Sequence, residues 1–358
     1  MNVYNSPLWA ANLDEIITAF PEWEALSGKA VLITGCTGLI GSALTDSLIR
    51  WNETHNGKIS VFAAGRDTRK IAARFGSYAQ REWFHAVPYD AVSMENAFDF
   101  PCDYIIHAAS NSSPDKYLQE PVETMLSNFL GLKCLLDYAK NNAVKRVLYV
   151  SSSEVYGQKD GNRPYRETDC GYVDFLNPRS SYPVGKRAAE TLCAAYAAEY
   201  GTDSVIVRPG HIYGPTASPA DNRVSSAWAY AAARGEDIVM KSDGAQIRSY
   251  CYCLDCASAI LTVLLRGESV RAYNISNPDS IITIRQMAEL LTKAAGVTLR
   301  TELPTEAERK GFNPMSNSSL DSESLLQLGW KGIFDAERGF SHTVGILKDS
   351  LSIPFPET

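Results

Sequence analysis

Short apolar runs separated by stretches of helical periodicity dominate this chain. Residues 1–28 carry a helical lead-in that ends at Gly28. "AVLIT" (30–34) follows as a buried strand, then a glycine-rich turn and a helix through about Trp51. "KISVFAA" (58–64), "WFHAVPY" (83–89), "DYIIHAA" (103–109), "RVLYVSSS" (146–153) and "DSVIVRP" (203–209) read as further strands. Helical patterns fill the gaps near 67–75, 92–98, 117–141 and 179–200. Strands that alternate with helices need crossover connections, so the pattern predicts an α/β fold built on a doubly wound parallel sheet.

After about Pro215 the rhythm changes. Helices near 222–235, 254–266 and 283–296 are separated by short strands such as "DIVMK", "RSYCY" and "AYNIS". This predicts a smaller α+β lobe over residues 216–358, packed on a sheet domain over 29–215, with the chain free to cross between them. A cleft between the two would lie at the carboxyl ends of the strands, where open α/β sheets bind ligands.

Composition adds exclusions. The 358 residues carry a formal charge of −7, which argues against a nucleic-acid partner. Eight cysteines show no framework spacing. Cys251, Cys253 and Cys256 cluster, but no fourth soft ligand or histidine follows at a zinc-like spacing, so no metal is expected. The first residues have neither a basic start nor an unbroken apolar core, and no apolar run approaches the roughly 18 residues of a membrane span. Reduced cysteines, no secretory signal and no span together predict a cytoplasmic protein without a membrane partner.

"VLITGCTGLIGSAL" sets Gly35, Gly38 and Gly41 between the first strand and its helix. Glycines there permit a tight turn and close backbone approach to a pyrophosphate, and the helix N-terminus offers free N–H groups; Thr37, Leu39 and Ile40 belong to the same turn. This is a Rossmann-type dinucleotide site. The second strand ends "AAGRD" rather than in a ribose-binding acid. Arg66 can accept a 2′-phosphate or stack on adenine, so the cofactor is NAD or NADP, with a slight lean to NADP. Asp90 can accept from the adenine amino group or cap a following helix.

"SYPVGKRAAE" contains Tyr182 and Lys186 four residues apart on an expected helix. Such residues share a face, so the ammonium can lower the phenol's pKa and make Tyr182 a proton acceptor. The fifth strand ends in Ser151, Ser152 and Ser153, at the edge that meets this helix.

At this point the chain resembles the extended short-chain dehydrogenase/reductases that act on nucleotide sugars, the epimerase/dehydratase group. The resemblance runs from about Gly28 to about Asn277, on "TGCTGLIG", "HAAS", "SSSEVYG", "SYPVGK", "RPGHIYGP" and "RSYCYCLD". It implies that Ser152 lies beside a sugar 4-OH, that Tyr182 deprotonates it, and that Lys186 also holds the nicotinamide ribose. A hydride leaves C4, giving a 4-keto sugar. Ala108, Ala109, Ser110, Asn128, Ser151, Pro209, His211 and Ile212 are then further cofactor contacts.

Within that family the two residues after the serine sort the reactions. Ser153-Glu154 lacks the aspartate of glucose-type dehydratases and matches the UDP-glucuronate decarboxylases, as well as dehydratases of the GDP-mannose type. "HAASNSSPDKYLQEPVET" follows the decarboxylase pattern through Ser113, Pro114 and Tyr117, with Ser113 and Tyr117 as substrate contacts. "DNRVSSAW" places Arg223 by the nucleotide. "GAQIRSYCY" places Arg248 at the diphosphate, or at the carboxylate end of the sugar. Ser153 and His211 complete the substrate set. Glu154 positions the sugar or a water for C5 protonation, or simply binds backbone N–H groups.

Departures point to a side branch. Pro183 and Val184 stand where an acidic pair is usual, His211 replaces an asparagine, and the lead-in is extra. The partner expected is a nucleotide-diphosphate sugar, and the resemblance implies a homodimer through the helices near 117–141 and 179–200. The alternatives to decarboxylation are a 4-epimerase, then a Ser-Glu-type 4,6-dehydratase or a conventional reductase, and, from another class, a non-catalytic NAD(P) sensor.

Overall fold

The computed structural model describes residues 2–112, 114–159, 161–303 and 315–352. The lead-in forms α1 (Pro7–Ala19) and α2 (Trp23–Leu26). Pro7 sits in the first turn of α1, where a missing N–H costs nothing. Trp9, Leu13, Ile16 and Ile17 line one face at helical spacing and are buried in the main core with Phe20, Trp23 and Leu26. Hydrogen bonds tie the lead-in down: Ser6 Oγ donates to Asp349 (2.6 Å) and Asn12 Nδ2 to the Tyr252 hydroxyl (3.0 Å). The extra segment is thus built into the body of the protein.

The sheet domain follows as β1 (Ala30–Thr34), α3 (Leu39–His55), β2 (Ser60–Gly65), α4 (Thr68–Phe75), β3 (Phe84–Pro88), β4 (Tyr104–His107), α5 (Pro114–Gln119), α6 (Pro121–Asn141), β5 (Arg146–Val150), α7 (Ser181–Tyr200) and β6 (Ser204–Pro209). Strand order is β10-β6-β5-β4-β1-β2-β3, where β10 is Ala272–Ile275, and every pairing is parallel. Central strands read as continuous apolar runs because helices cover both faces. The order reverses between β1 and β4, which opens the crevice at their carboxyl ends.

Two elements differ from the sequence pattern. No helix forms over 92–98. Instead the Asn96 side chain accepts from Asp90 N (2.8 Å) and donates to the carbonyls of Asp90 and Ser93 (2.8 Å each). A short amide competes well with a helix for such groups. The helix expected over 117–141 is broken at Glu120, which adopts φ −128°, ψ 58° ahead of Pro121. Proline disfavours helical geometry in the residue before it.

The remaining strands and helices are β7 (His211–Tyr213), α8 (Val224–Ala233), β8 (Ile238–Met240), β9 (Ile247–Tyr252), α9 (Cys253–Arg266), β11 (Ile281–Thr283), α10 (Ile284–Ala295), β12 (Leu299–Thr301), α11 (Glu323–Gln327) and α12 (Ala336–Ser352). β7, β9 and β11 form a three-stranded sheet, and β8 pairs with β12. The chain crosses back after Pro215, since β10 lies beside β6 in the main sheet. Cys251, Cys253 and Cys256 are buried where β9 runs into α9. Among the described residues no helix is long and apolar enough to cross a membrane.

Candidate functional site

A cleft of about 1450 Å³ lies across the carboxyl ends of the main strands, with β7–β9 and α8 on its far side. Its near end is the glycine turn. Gly35 has φ +67°, and a side chain there would meet the Ala108 backbone at 2.9 Å. A Cβ on Gly41 would fall 2.1 Å from the Gly35 carbonyl oxygen. Gly38 caps α3 without a side chain, so the first N–H groups of the helix, beside Thr37, Leu39, Ile40 and Gly41, are left for a ligand. This cradle fits a pyrophosphate.

Arg66 is exposed at the cleft rim, while Asp67 is occupied as the cap of α4, accepting from Arg69 N at 3.0 Å. Asp90 lines the cleft and accepts from Val92 N (3.2 Å), so it shapes the loop after β3 rather than capping a helix. Ala108, Ala109 and Ser110 form the wall. The Ala109 N–H donates to Thr34 Oγ1 (3.3 Å), and Ser110 Oγ donates to Asn128 Oδ1 (2.9 Å). Asn128 itself is fully buried and does not line the cleft: its amide donates to the Thr124 carbonyl (2.8 Å) and its oxygen also accepts from Tyr149 (3.3 Å). It stands behind the wall and holds the Ser110 hydroxyl. Ser113 lies outside the described residues.

β5 stops at Val150, and the hydroxyls of Ser151 to Ser153 fall past its end. Ser151 Oγ donates to Glu190 Oε1 at 2.6 Å. Ser152 caps a single 3₁₀ turn (Ser153–Tyr156), accepting from Glu154 N at 3.2 Å, and its hydroxyl is near enough to Tyr182 to favour the phenolate. α7 carries Tyr182, Lys186 and Glu190 on one face. Lys186 Nζ donates to the Val150 carbonyl (2.8 Å) and lies 5.7 Å from the Tyr182 ring centre.

The expected effect of Lys186 on Tyr182 is not what the folded chain shows. Burial pushes the phenol up to about 12, against the pull of the nearby Ser152 hydroxyl. Lys186 is itself brought down to about 7 by burial, with Glu190 drawing it back up. A lysine that is buried and only part-charged near neutrality has little field to lend. Loss of the Tyr182 proton therefore needs further positive charge in the cleft.

Among the described residues no backbone N–H donates to the Glu154 side chain. Its carboxylate faces the Arg179 guanidinium, with both arms at 3.4 Å. Arg179 lies over the Tyr117 ring (5.6 Å), and Tyr117 stacks on Tyr182 with ring centres 5.1 Å apart. Across the cleft, Arg223 is held by Asp221, its Nε 3.0 Å from each oxygen. Arg248 is 4 % exposed, donates to the carbonyls of Ile247 (2.9 Å) and Met315 (3.1 Å), and pairs with no carboxylate among the described residues. His211 lines the cleft with Pro209 and Ile212; its Nδ1 is buried without a partner, and burial holds the ring neutral, down to about 3.

The sequence assigns Arg179 and Glu190 no chemical role, although in "NPRSSYPVGKRAAETLCAAY" the Pro-Arg ahead of Tyr182 and the Lys-Arg-x-x-Glu-Thr after it resemble the decarboxylases. Glu190 stands one helical turn beyond Lys186, a spacing that marks it once α7 is known. Arg179 is marked by the Pro-Arg pair ahead of Tyr182, which shows its place but not its partner.

The NAD dependent epimerase/dehydratase family model matches residues 31–276. UDP-glucuronic acid decarboxylase 1 of Xenopus tropicalis is 30% identical over 324 residues, spanning 90% of this chain and 73% of the relative. UDP-glucuronic acid decarboxylase 6 of Arabidopsis thaliana is 31% identical over 307 residues, 85% of this chain and 84% of the relative. In fold, the chain is similar to UDP-glucuronic acid 4-epimerase from Bacillus cereus, solved with UDP-glucuronic acid and NAD, at TM-score 0.73 and 19% identity, over 90% of this chain and 99% of the other. With a glycine cradle, a Ser152–Tyr182–Lys186 group and a match over most of its sheet domain, this chain belongs to the NAD dependent epimerase/dehydratase family.

Proposed function

We propose that the protein oxidises C4 of a nucleotide-diphosphate sugar and that its substrate is a UDP-glucuronate-like uronate, which it decarboxylates. The observation that carries this reading is the convergence of Ser152, Tyr182 and Lys186 on the cleft, with Lys186 Nζ 5.7 Å from the Tyr182 ring centre. The names of the curated relatives support the uronate. The cofactor is NAD, in keeping with the family; Arg66, exposed at the rim, does not carry the lean to NADP further.

Bound in the cleft, the nicotinamide supplies a reversible two-electron acceptor for the C4 hydrogen, and its positive charge favours the Tyr182 phenolate. Gly35, Gly38 and Gly41 hold the pyrophosphate, and Lys186 the ribose. Ser152 holds the sugar O4, and Tyr182 takes its proton. Once C4 is a ketone, the C6 carboxylate is β to it. The C5–C6 electron pair moves into the C4–C5 bond, carbon dioxide leaves, and negative charge gathers on O4. Ser152 and Tyr182 donate hydrogen bonds to that oxygen. Arg248, buried without an anion, suits the diphosphate, and the unpartnered Nδ1 of His211 suits a sugar or cofactor hydroxyl. A 4-epimerase is the second reading, because Ser152, Tyr182 and Lys186, which line the same cleft, would serve its first step equally.

The assembly is proposed to be a homodimer. Leu118, Val122, Met125, Leu126 and Phe129 form an apolar stripe on α5 and α6, each 36–62% exposed, beside α7. The location is proposed to be cytoplasmic, in keeping with eight free cysteines.

Purified protein incubated with UDP-glucuronate, with the product read by mass, tests the reading. Loss of carbon dioxide supports it, whereas an isomeric product favours epimerisation and loss of water favours dehydration. Tyr182→Phe is expected to cut turnover by roughly a hundredfold to ten-thousandfold while NAD still binds. Full activity in that variant would refute the role of Tyr182.

A further inference from the structure

Four arginines line the cleft among the described residues: Arg66, Arg179, Arg223 and Arg248. Three are accounted for. Arg66 follows β2, at the end of the cleft away from Tyr182. Arg223 is gripped by Asp221, and Arg248 is fixed on two backbone carbonyls across the cleft. Arg179 is different. It sits three residues before Tyr182, on a 3₁₀ turn (Pro178–Ser180) whose start is held by Asn177, which accepts from Arg179 N at 3.0 Å. Its backbone is therefore pinned while its head group is loosely held.

The Glu154–Arg179 pair is long, at 3.4 Å in both arms, and its side chains are 31% and 44% exposed. Pairs of that kind are worth little, about 0–1 kcal/mol, and exchange readily. Glu154 also stands close enough to Tyr182 to raise its pKa. If Glu154 serves C5 protonation, as the resemblance implies, a sugar with O4 between Ser152 and Tyr182 carries C6 near Glu154. A neutral hexose can enter with the ion pair intact. A uronate adds a second carboxylate beside Glu154, and two like charges at that range disfavour binding unless a cation comes between them.

We propose that Arg179 is the specificity residue for a carboxylated sugar: it exchanges Glu154 for the substrate's C6 carboxylate. This rests on the reading that C4 lies at Ser152 and Tyr182. The planar guanidinium suits a two-oxygen partner, and it lies 5.6 Å over the ring of Tyr117, which also lines the cleft. The exchange reverses by itself. When the C5–C6 bond breaks, its electron pair passes to the C4–C5 bond and O4, and carbon dioxide leaves uncharged. Arg179 then has no partner on the sugar and returns to Glu154. Because the carboxylate is bound before reaction and gone after it, Arg179 strengthens ground-state binding more than the transition state.

Calorimetric titration of the NAD-loaded protein with UDP-glucuronate and with UDP-glucose tests this. The wild type is expected to prefer UDP-glucuronate. Arg179→Met, which keeps an apolar chain against Tyr117, is expected to weaken UDP-glucuronate by roughly tenfold to a hundredfold. UDP-glucose should change by less than about twofold and so report an intact fold. Arg179→Lys should recover part of the loss, and in turnover the defect should fall on KM more than on kcat. Equal weakening of both ligands, no change in either, or a wild type without preference would overturn the assignment. A wild type that prefers UDP-glucuronate but releases no carbon dioxide would refute the decarboxylase reading and leave Arg179 standing.

Discussion

Replacing Lys186 by methionine should make the folded protein more stable near neutral pH while abolishing turnover. Unfolded, this lysine keeps its proton to about pH 10.5; folded, burial brings it down to about 7. Between those values the unfolded chain binds more protons, so the lysine's penalty is full below pH 7 and fades as pH rises toward 10.5. At about 1.4 kcal/mol per pH unit, the folded state gives up roughly 4–5 kcal/mol at pH 7 and about 2 kcal/mol at pH 9. Methionine removes that penalty but leaves the Val150 carbonyl without its 2.8 Å donor. An orphaned carbonyl costs about 1–3 kcal/mol, so the variant is expected to gain roughly 1–4 kcal/mol at pH 7. Urea unfolding of wild type and variant at both pH values measures it. The gap between the two proteins should shrink by about 2 kcal/mol from pH 7 to pH 9, whatever the carbonyl costs. A variant less stable at pH 7, with a gap independent of pH, would refute the claim that Lys186 is held at the expense of the fold.

Glu190→Gln keeps an oxygen for Ser151 (2.6 Å) but removes the charge that pairs with Arg208 (2.6 Å to Nη2), in a pair whose side chains are 12% and 13% exposed. The uncompensated guanidinium should cost about 3 kcal/mol by urea unfolding, and a loss under ~1 kcal/mol would show that solvent screens the pair. Gly41→Ala puts a methyl 2.1 Å from the Gly35 carbonyl oxygen, so NAD affinity by calorimetry should fall at least about tenfold; unchanged affinity would show that the turn has room to shift.

Much of the site is legible locally. Gly35, Gly38 and Gly41 stand between an apolar run and a helical pattern, and Tyr182 and Lys186 are one turn apart; both need only the chain's own periodicity. The helix expected over 92–98 failed for a local reason too, since one amide, Asn96, satisfied the groups a helix would have used. Asn128 carries no mark that separates a cofactor contact from a support behind the wall, because burial is a property of the packed layers.

The sequence by itself determined the order of strands and helices, the glycine cradle and the helix face that carries Tyr182 and Lys186, because all of these follow from spacings of a few residues. Only the tertiary structure decided who faces whom. It joined Glu154 to Arg179 across 25 residues, laid Arg179 over Tyr117, and set Arg248 under the carbonyl of Met315, 67 residues away. It also raised Tyr182 and lowered Lys186, reversing the expectation drawn from their spacing. Charge interactions and desolvation depend on distances of a few ångströms and on burial, and these arise from contacts between distant segments that no local pattern encodes.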